Sequence, residues 1–212
     1  AVTDLPLQID SSSPEVLERA MRRYNGKPLV NSVNGKEESL EQVLQLVAKY
    51  GGVLIALTLD EAGIPEDADG RIRIAKKIIE RAASYGIARK DIVVDPLAMT
   101  ISSDTTSALT TLACIRRLTQ ELQVHTSLGV SNISFGLPKR EMITSTFFAM
   151  ALANGLSAAI MNPASAEMMK VYHCAKALQN QDPNCQAYIA YADTVTTEVK
   201  STAAAPKAGE PQ

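Results

Sequence analysis

With 212 residues, 46% of them hydrophobic, and a formal charge of −2, the chain can bury a substantial core and fits one domain or one large piece of one. That charge balance argues against a basic nucleic-acid surface or a polybasic membrane patch, and no apolar stretch approaches the roughly 20 residues of a spanning helix. Cys114, Cys174 and Cys185 are odd in number and lack CxxC spacing, so they read as buried or free thiols of a reducing cytoplasm, and a cytoplasmic location is expected.

The first apolar run is Leu5-Pro6-Leu7-Gln8-Ile9-Asp10, and it opens the chain where a signal peptide would otherwise stand. A helix is predicted over residues 14–23, with Ser13 as N-cap and Pro14 at the first helical position. Pro28-Leu29-Val30-Asn31 follows, then a helix over 36–50 carrying Leu40, Val43, Leu44, Val47 and Ala48 at helical spacing and ended by Gly51-Gly52. The run from Val53 to Asp60 precedes a helix over 71–85 that stops at Gly86. Ile92-Val93-Val94-Asp95 precedes a helix over 105–122. Leu128-Gly129-Val130-Ser131-Asn132 precedes one over 141–154, and Ala158-Ala159-Ile160-Met161-Asn162 precedes one over 165–178. A short added helix is expected over 182–191. The polar, Ala/Pro-rich end of the chain reads as a linker or disordered tail over 193–212, leaving 1–192 as the folded portion.

Short continuous apolar runs alternating with helices suit strands buried on both faces, as in a parallel α/β sheet. The polar strand ends are spaced 21, 29, 35, 37 and 30 residues apart, against about 31 per unit in a (β/α)8 TIM barrel of about 250 residues. The predicted fold is therefore a TIM barrel of which six βα units, the C-terminal six, are present. An open doubly wound sheet is the alternative architecture.

Ligand sites in parallel α/β folds lie at the C-terminal ends of strands, so the row Asp10, Asn31, Asp60, Asp95, Asn132 and Asn162 suggests a pocket with a polar floor. A carboxylate such as Asp95 offers two acceptors side by side and can grip an amidine-like edge, for example the N3–H and 2-amino group of a pterin. Asp10 and Asn31 would satisfy further ring atoms, although Asp10 can also cap a helix and Asn31 can form a turn. Gly129 and Ser131 are small enough for a ligand to approach closely before Asn132. Asp60 reads as a loop residue, and Asn162-Pro163 is as much a loop signal as a site. No metal site is expected from His125, His173 and the cysteines, and no Gly-x-Gly-x-x-Gly or Walker-type loop is present.

The segment Gly129-Val130-Ser131-Asn132-Ile133-Ser134-Phe135-Gly136-Leu137-Pro138 resembles the pterin-binding methyltransferase family. That family includes the methyltetrahydrofolate domain of cobalamin-dependent methionine synthase and the methyltetrahydrofolate:corrinoid/iron-sulfur protein methyltransferases. Leu7-Gln8-Ile9-Asp10-Ser11, Val30-Asn31-Ser32, Asp60-Glu61-Ala62-Gly63-Ile64-Pro65, Val94-Asp95-Pro96-Leu97 and Ala158-Ala159-Ile160-Met161-Asn162 support the resemblance in order along the chain. It implies a barrel that binds 5-methyltetrahydrofolate at its C-terminal mouth. Asp95, with Asp10 and Asn31, would hold the pterin ring, Gly129, Ser131 and Asn162 would line its pocket, and Asn132 would serve as the catalytic group near N5. The methyl group would pass to cob(I)alamin carried by a separate corrinoid domain or protein, because this chain has no Asp-x-His-x-x-Gly cobalamin motif.

The tail favours a methionine synthase setting over a single-domain methyltransferase. Two earlier strands of the family barrel are expected to be missing, so open sheet edges would invite homo-oligomers or pairing with the missing segment. A dihydropteroate synthase-like enzyme is the nearest rival, disfavoured because no basic residue stands at the last two strand ends to hold a pyrophosphate. A non-catalytic folate-binding fragment is the rival of another class.

Overall fold

The computed structural model describes residues 3–195. Five strands, β1 (Gln8–Asp10), β2 (Leu29–Asn34), β3 (Val53–Leu57), β4 (Ile92–Asp95) and β5 (His125–Thr126), alternate with helices α1 (Pro14–Arg23), α2 (Glu37–Tyr50), α3 (Ala68–Ser84) and α4 (Ser107–Gln120). Three further helices follow: α5 (Arg140–Ala153), α6 (Ala166–Leu178) and α7 (Gln186–Thr194). Among the described residues, no helix is long and apolar enough to cross a membrane.

All strand pairs are parallel and the order is β1-β2-β3-β4-β5. The sixth apolar run extends this order without forming a full strand. Ala158 N–H donates to the Thr126 carbonyl and Ile160 N–H to the Leu128 carbonyl, both at 2.9 Å, and Gly129 bridges Ile160 in parallel. A doubly wound sheet reverses its strand order at a switch point, whereas a barrel adds each strand to the same side. The unbroken order makes this an arc of a TIM barrel.

Residues alternate across the pleat. Val30, Leu54, Ala56, Ile92 and Val94 join Leu17, Leu40, Leu44, Ile78 and Leu118 in a core between the sheet and helices α1 to α4. A second core gathers Ile115, Leu128, Val130, Phe147, Phe148 and Met168 beneath α4 to α6. The intervening positions Asn31, Ile55, Val93 and Asp95 therefore face the concave side of the arc.

Several element ends differ from expectation for local reasons. β2 does not end at Asn31 but runs to Asn34 through an irregularity between Asn31 and Val33, where the Asn31–Ser32 peptide is cis. β3 stops at Leu57: the Thr58 N–H makes a last ladder bond to the Asp95 carbonyl, and the Leu59 N–H then turns back onto the Leu57 carbonyl, so Asp60 lies in the following loop. The run predicted as a strand over 128–132 is not one: the two-residue β5 lies before it, and the run passes through an isolated bridge at Gly129 into a 3-10 helix, Val130–Ser134. There the Asn132 N–H bonds to the Gly129 carbonyl and the Ser134 hydroxyl to the Ser131 carbonyl, local bonds that compete with a sheet ladder. α3 begins three residues before its apolar pattern because Asp67 caps it, accepting from Gly70 N–H at 2.7 Å. The added helix near the end splits into a 3-10 turn, Pro183–Cys185, and α7. Asp193 and Thr194, expected to begin the linker or tail, close α7; from residue 196 onward that segment lies outside the described residues.

Candidate active site

Sheet register sets the site. Asp10 pairs with Asn31, Asn31 with Ile55, Ile55 with Val93, and Val93 with His125, so these residues form one row across the concave face. One layer nearer the C-terminal mouth, Asp95 pairs with Leu57. Asn31 and Asp10 are joined directly, with Asn31 Nδ2 donating to Asp10 Oδ2 at 3.1 Å. The helix-capping alternative for Asp10 does not apply, because Ser13 caps α1 and Ser11 accepts the Ser13 N–H. Nor is Asn31 a turn former, since it lies within β2.

Asp95 ends β4 as expected and is only 7% exposed. Its main-chain carbonyl accepts the Thr58 N–H and hydroxyl, which locks the strand end to β3. Its Oδ1 accepts the Leu97 N–H at 2.7 Å, and no donor among the described residues reaches Oδ2. Burial pushes the carboxyl up to about 6, opposed by the Leu97 N–H and by the positive charge of Arg71. With Oδ1 engaged by the Leu97 N–H, the other carboxyl oxygen is left open to a ligand.

Sequence reading missed Arg71. It is 2% exposed, and its Nε donates to the Pro65 carbonyl at 2.9 Å while Nη1 donates to the carbonyls of Pro96 and Leu97 at 2.9 and 2.8 Å. The signal was present: Arg71 shares the buried stripe of α3 with Ile74, Ala75, Ile78 and Ala82, where a charge has no solvent-facing reason to be.

Gly129, Ser131 and Asn132 lie beyond β5. A Cβ on Gly129 would sit 3.2 Å from Asn132 Nδ2, so the Asn132 carboxamide folds back over the glycine. Asn132 is exposed, and among the described residues its carboxamide has no hydrogen-bond partner. Ser131 and Asn162 come together, but in a separate recess of about 310 Å³ beside α5 and α6. Asn162 uses Oδ1 to accept the Ala164 N–H at 3.0 Å, an Asx turn. Asp60 does the same with Ala62 N–H at 2.9 Å, in keeping with its loop reading.

A basic side chain also reaches this region, which the strand ends alone did not reveal. Arg140, at the start of α5, donates through Nη2 to the Ser131 carbonyl at 2.7 Å and through Nε to the Ser134 hydroxyl at 3.2 Å. Beside it, the Glu141 carboxylate accepts from the Ser165 hydroxyl. Among the described residues, no group of three or more His, Cys, Asp or Glu side chains is arranged to hold a metal ion.

Residues 1–162 match the family described as pterin binding enzyme. The chain belongs to that family. It is 32% identical over 188 residues to the methylcorrinoid:tetrahydrofolate methyltransferase of Eubacterium limosum, covering 87% of this chain and 69% of the relative. It is also 32% identical over 171 residues to the methionine synthase of Mycobacterium tuberculosis, where the match covers 74% of this chain and only 14% of that much longer protein. Among solved structures, the dihydropteroate synthase of Yersinia pestis with a pterine-sulfa conjugate superposes with a TM-score of 0.69 at 19% identity, over 84% of this chain and 70% of that one. The Xanthomonas albilineans dihydropteroate synthase with 7,8-dihydropteroate gives 0.65 at 22%, again over 84% and 70%. At those identities the likeness is one of fold, and it agrees with the barrel arc read from strand order. As a pterin-binding enzyme, the chain carries Asp10, Asn31 and Asp95 on the concave face of that arc, Asp10 and Asp95 at the carboxyl ends of β1 and β4 and Asn31 within β2.

Proposed function

We propose that this enzyme catalyses methyl exchange between N5 of a reduced folate and a corrinoid presented by another domain or protein. In the direction expected from sequence, 5-methyltetrahydrofolate is the methyl donor and cob(I)alamin the acceptor. The corrinoid is here a second substrate, and it supplies the nucleophile that takes the methyl group.

In this reading, ionised Asp95 accepts the N3–H and 2-amino group of the pterin through its open oxygen and the edge of Oδ1. The Asp10–Asn31 pair, held in register one layer deeper, meets the remaining polar edge of the ring. Gly129 keeps the wall thin beside Asn132, while Ser131 and Asn162, expected from sequence to line the pocket, belong to the separate recess beside α5 and α6. The chemical difficulty lies at N5, which leaves poorly unless it gains a proton or positive character. A carboxamide is no strong acid. It can still reorient so that its oxygen stabilises a protonated N5 as the C–N bond breaks, a hydrogen bond made best in the transition state. The observation that carries this reading is the unpartnered Asn132 carboxamide lying over Gly129, free to turn because no protein group among the described residues holds it.

Direction is a matter of which methyl carrier is supplied. The E. limosum relative is named for transfer from methylcorrinoid to tetrahydrofolate, and one site serves both directions by microscopic reversibility. The finer reading, work within a methionine synthase system, draws on the mycobacterial relatives and on the linker-like composition past residue 195. Arg140 does not revive a pyrophosphate-binding reading, since two of its donor groups are already engaged by Ser131 and Ser134.

The test is optical. The full chain is mixed with 5-methyltetrahydrofolate and cob(I)alamin, and separately with tetrahydrofolate and methylcobalamin, and the cobalt spectrum is followed. Transfer in either direction is expected. A protein that binds folate yet leaves both mixtures unchanged would overturn the assignment.

A further inference from the structure

The turn after β4 carries a feature that an ordinary strand-to-helix connection does not need. Leu97 has φ +64°, in the left-handed region that a branched apolar side chain rarely adopts. Its N–H nonetheless holds Asp95 Oδ1 at 2.7 Å, so the carboxylate is aimed by a residue in an unfavourable conformation. Such a conformation persists only where its surroundings over-determine it.

The surroundings here centre on one side chain. Arg71 Nη1 binds the carbonyls of Pro96 and Leu97, the two peptide units that define the turn. The Thr111 hydroxyl, from α4, donates to the same Leu97 carbonyl at 3.1 Å. Arg71 Nε binds the Pro65 carbonyl in the loop between β3 and α3. One buried guanidinium therefore ties together two loops at the mouth of the arc and fixes the turn that presents Asp95.

The geometry points to Arg71 as a positioning residue for pterin recognition, acting through the left-handed turn at Leu97 to aim the Asp95 carboxylate. This inference rests on the proposed binding of a pterin by Asp95. Arg71 has a second influence through space, because its charge favours the ionised form of Asp95. Losing Arg71 should thus both loosen the turn and move the carboxyl further up.

The test measures 5-methyltetrahydrofolate binding to the full chain by calorimetry between pH 5 and pH 8. Variants are Arg71→Lys, Arg71→Met, Thr111→Val, and Arg71→Lys combined with Leu97→Gly. Arg71→Lys, which keeps the charge but loses the fork, is expected to weaken binding at least tenfold. Arg71→Met is expected to do the same and also to move the lower pH limit of tight binding upward. Thr111→Val should weaken binding in the same direction by a smaller factor. Adding Leu97→Gly to Arg71→Lys should recover part of the loss, since glycine adopts the turn without restraint. General packing damage would be neither rescued by glycine at 97 nor marked by a moved pH limit.

Folded Arg71→Lys and Thr111→Val proteins with wild-type affinity would overturn the inference, as would a double variant with no recovery. If Arg71→Met does not fold, the other three variants still decide. Wild-type protein that binds no folate would instead sink the proposed function itself.

Discussion

Replacing Asp95 with Asn should move stability and binding in opposite directions. The carboxyl of Asp95 is raised from 3.8 to about 6, chiefly by burial. A folded-state value above the unfolded one means that Asp95 favours folding fully below pH 3.8 and that this contribution is lost as pH rises through 6. The displacement corresponds to about 3 kcal/mol at 1.36 kcal/mol per pH unit. Asparagine keeps the Oδ1 acceptor for the Leu97 N–H and carries no charge. Asp95→Asn should therefore stabilise the fold at pH 8 by up to about 3 kcal/mol, with the gain fading to nothing near pH 4. Binding should suffer, because one charge-assisted acceptor is replaced by a donor that faces the donors of the pterin edge. The expected loss is about 1–3 kcal/mol, or roughly 5- to 150-fold in affinity at neutral pH. Wild-type affinity should also fall as pH drops through 6, and that dependence should be missing in the variant. Urea unfolding at pH 4, 6 and 8, beside calorimetric titration with 5-methyltetrahydrofolate, supplies both halves. A variant less stable than wild type at pH 8 would refute the burial argument. Unchanged affinity would remove Asp95 from the site.

Other expectations follow from the same geometry. Asn132→Ala should slow methyl transfer about a hundredfold or more while leaving folate affinity within a few-fold, and an unaltered single-turnover rate would end the role assigned to it. Gly129→Ala requires no backbone change, since Gly129 has φ −74°, but its Cβ would meet Asn132 Nδ2 at 3.2 Å. The carboxamide must shift, so the transfer rate should fall about tenfold or more with the melting temperature held, and a normal rate would show that its resting position is immaterial. Asp10→Ala and Asn31→Ala should each weaken folate binding, and the double variant should show a coupling of about 0.5–3 kcal/mol because the two side chains hydrogen-bond each other. Additive losses would mean that they act separately.

The barrel arc was legible because its signals are repeated. Apolar runs such as Val53–Leu57 and amphipathic stretches such as Glu37–Tyr50 are set by burial, and each lies where the pattern predicts. Ends were less legible. β2 passes through Asn31 to Asn34, and the fifth run breaks at Gly129, where local bonds from Asn132 and Ser134 compete with the ladder and apolar spacing carries no mark of them. Arg71 was missed for another reason. Its partners at Pro65, Pro96 and Leu97 are up to 26 residues away, and only the fold brings three carbonyls to one guanidinium.

Six polar strand ends looked alike in sequence, and burial together with hydrogen-bond partners now separates them. Asp60 and Asn162 each use Oδ1 on an N–H two residues ahead, the same turn bond that Asp95 makes to Leu97, but neither of the two is buried. Folding accounts for those two side chains. Asp10 and Asn31 bind each other across adjacent strands and retain open lone pairs or donors toward the concave face. Asp95 goes further, since a buried carboxyl group, a left-handed Leu97 and a buried Arg71 all meet at one turn. Each of these is unfavourable for folding by itself, and stability alone would be better served by an apolar residue at 95 and glycine at 97. Concentrated local cost of this kind is the physical mark of a site shaped for a ligand. In the proposed site it would make Asp95 the residue on which pterin recognition most depends, with Asn132, whose carboxamide has no partner among the described residues, as the group left free to act.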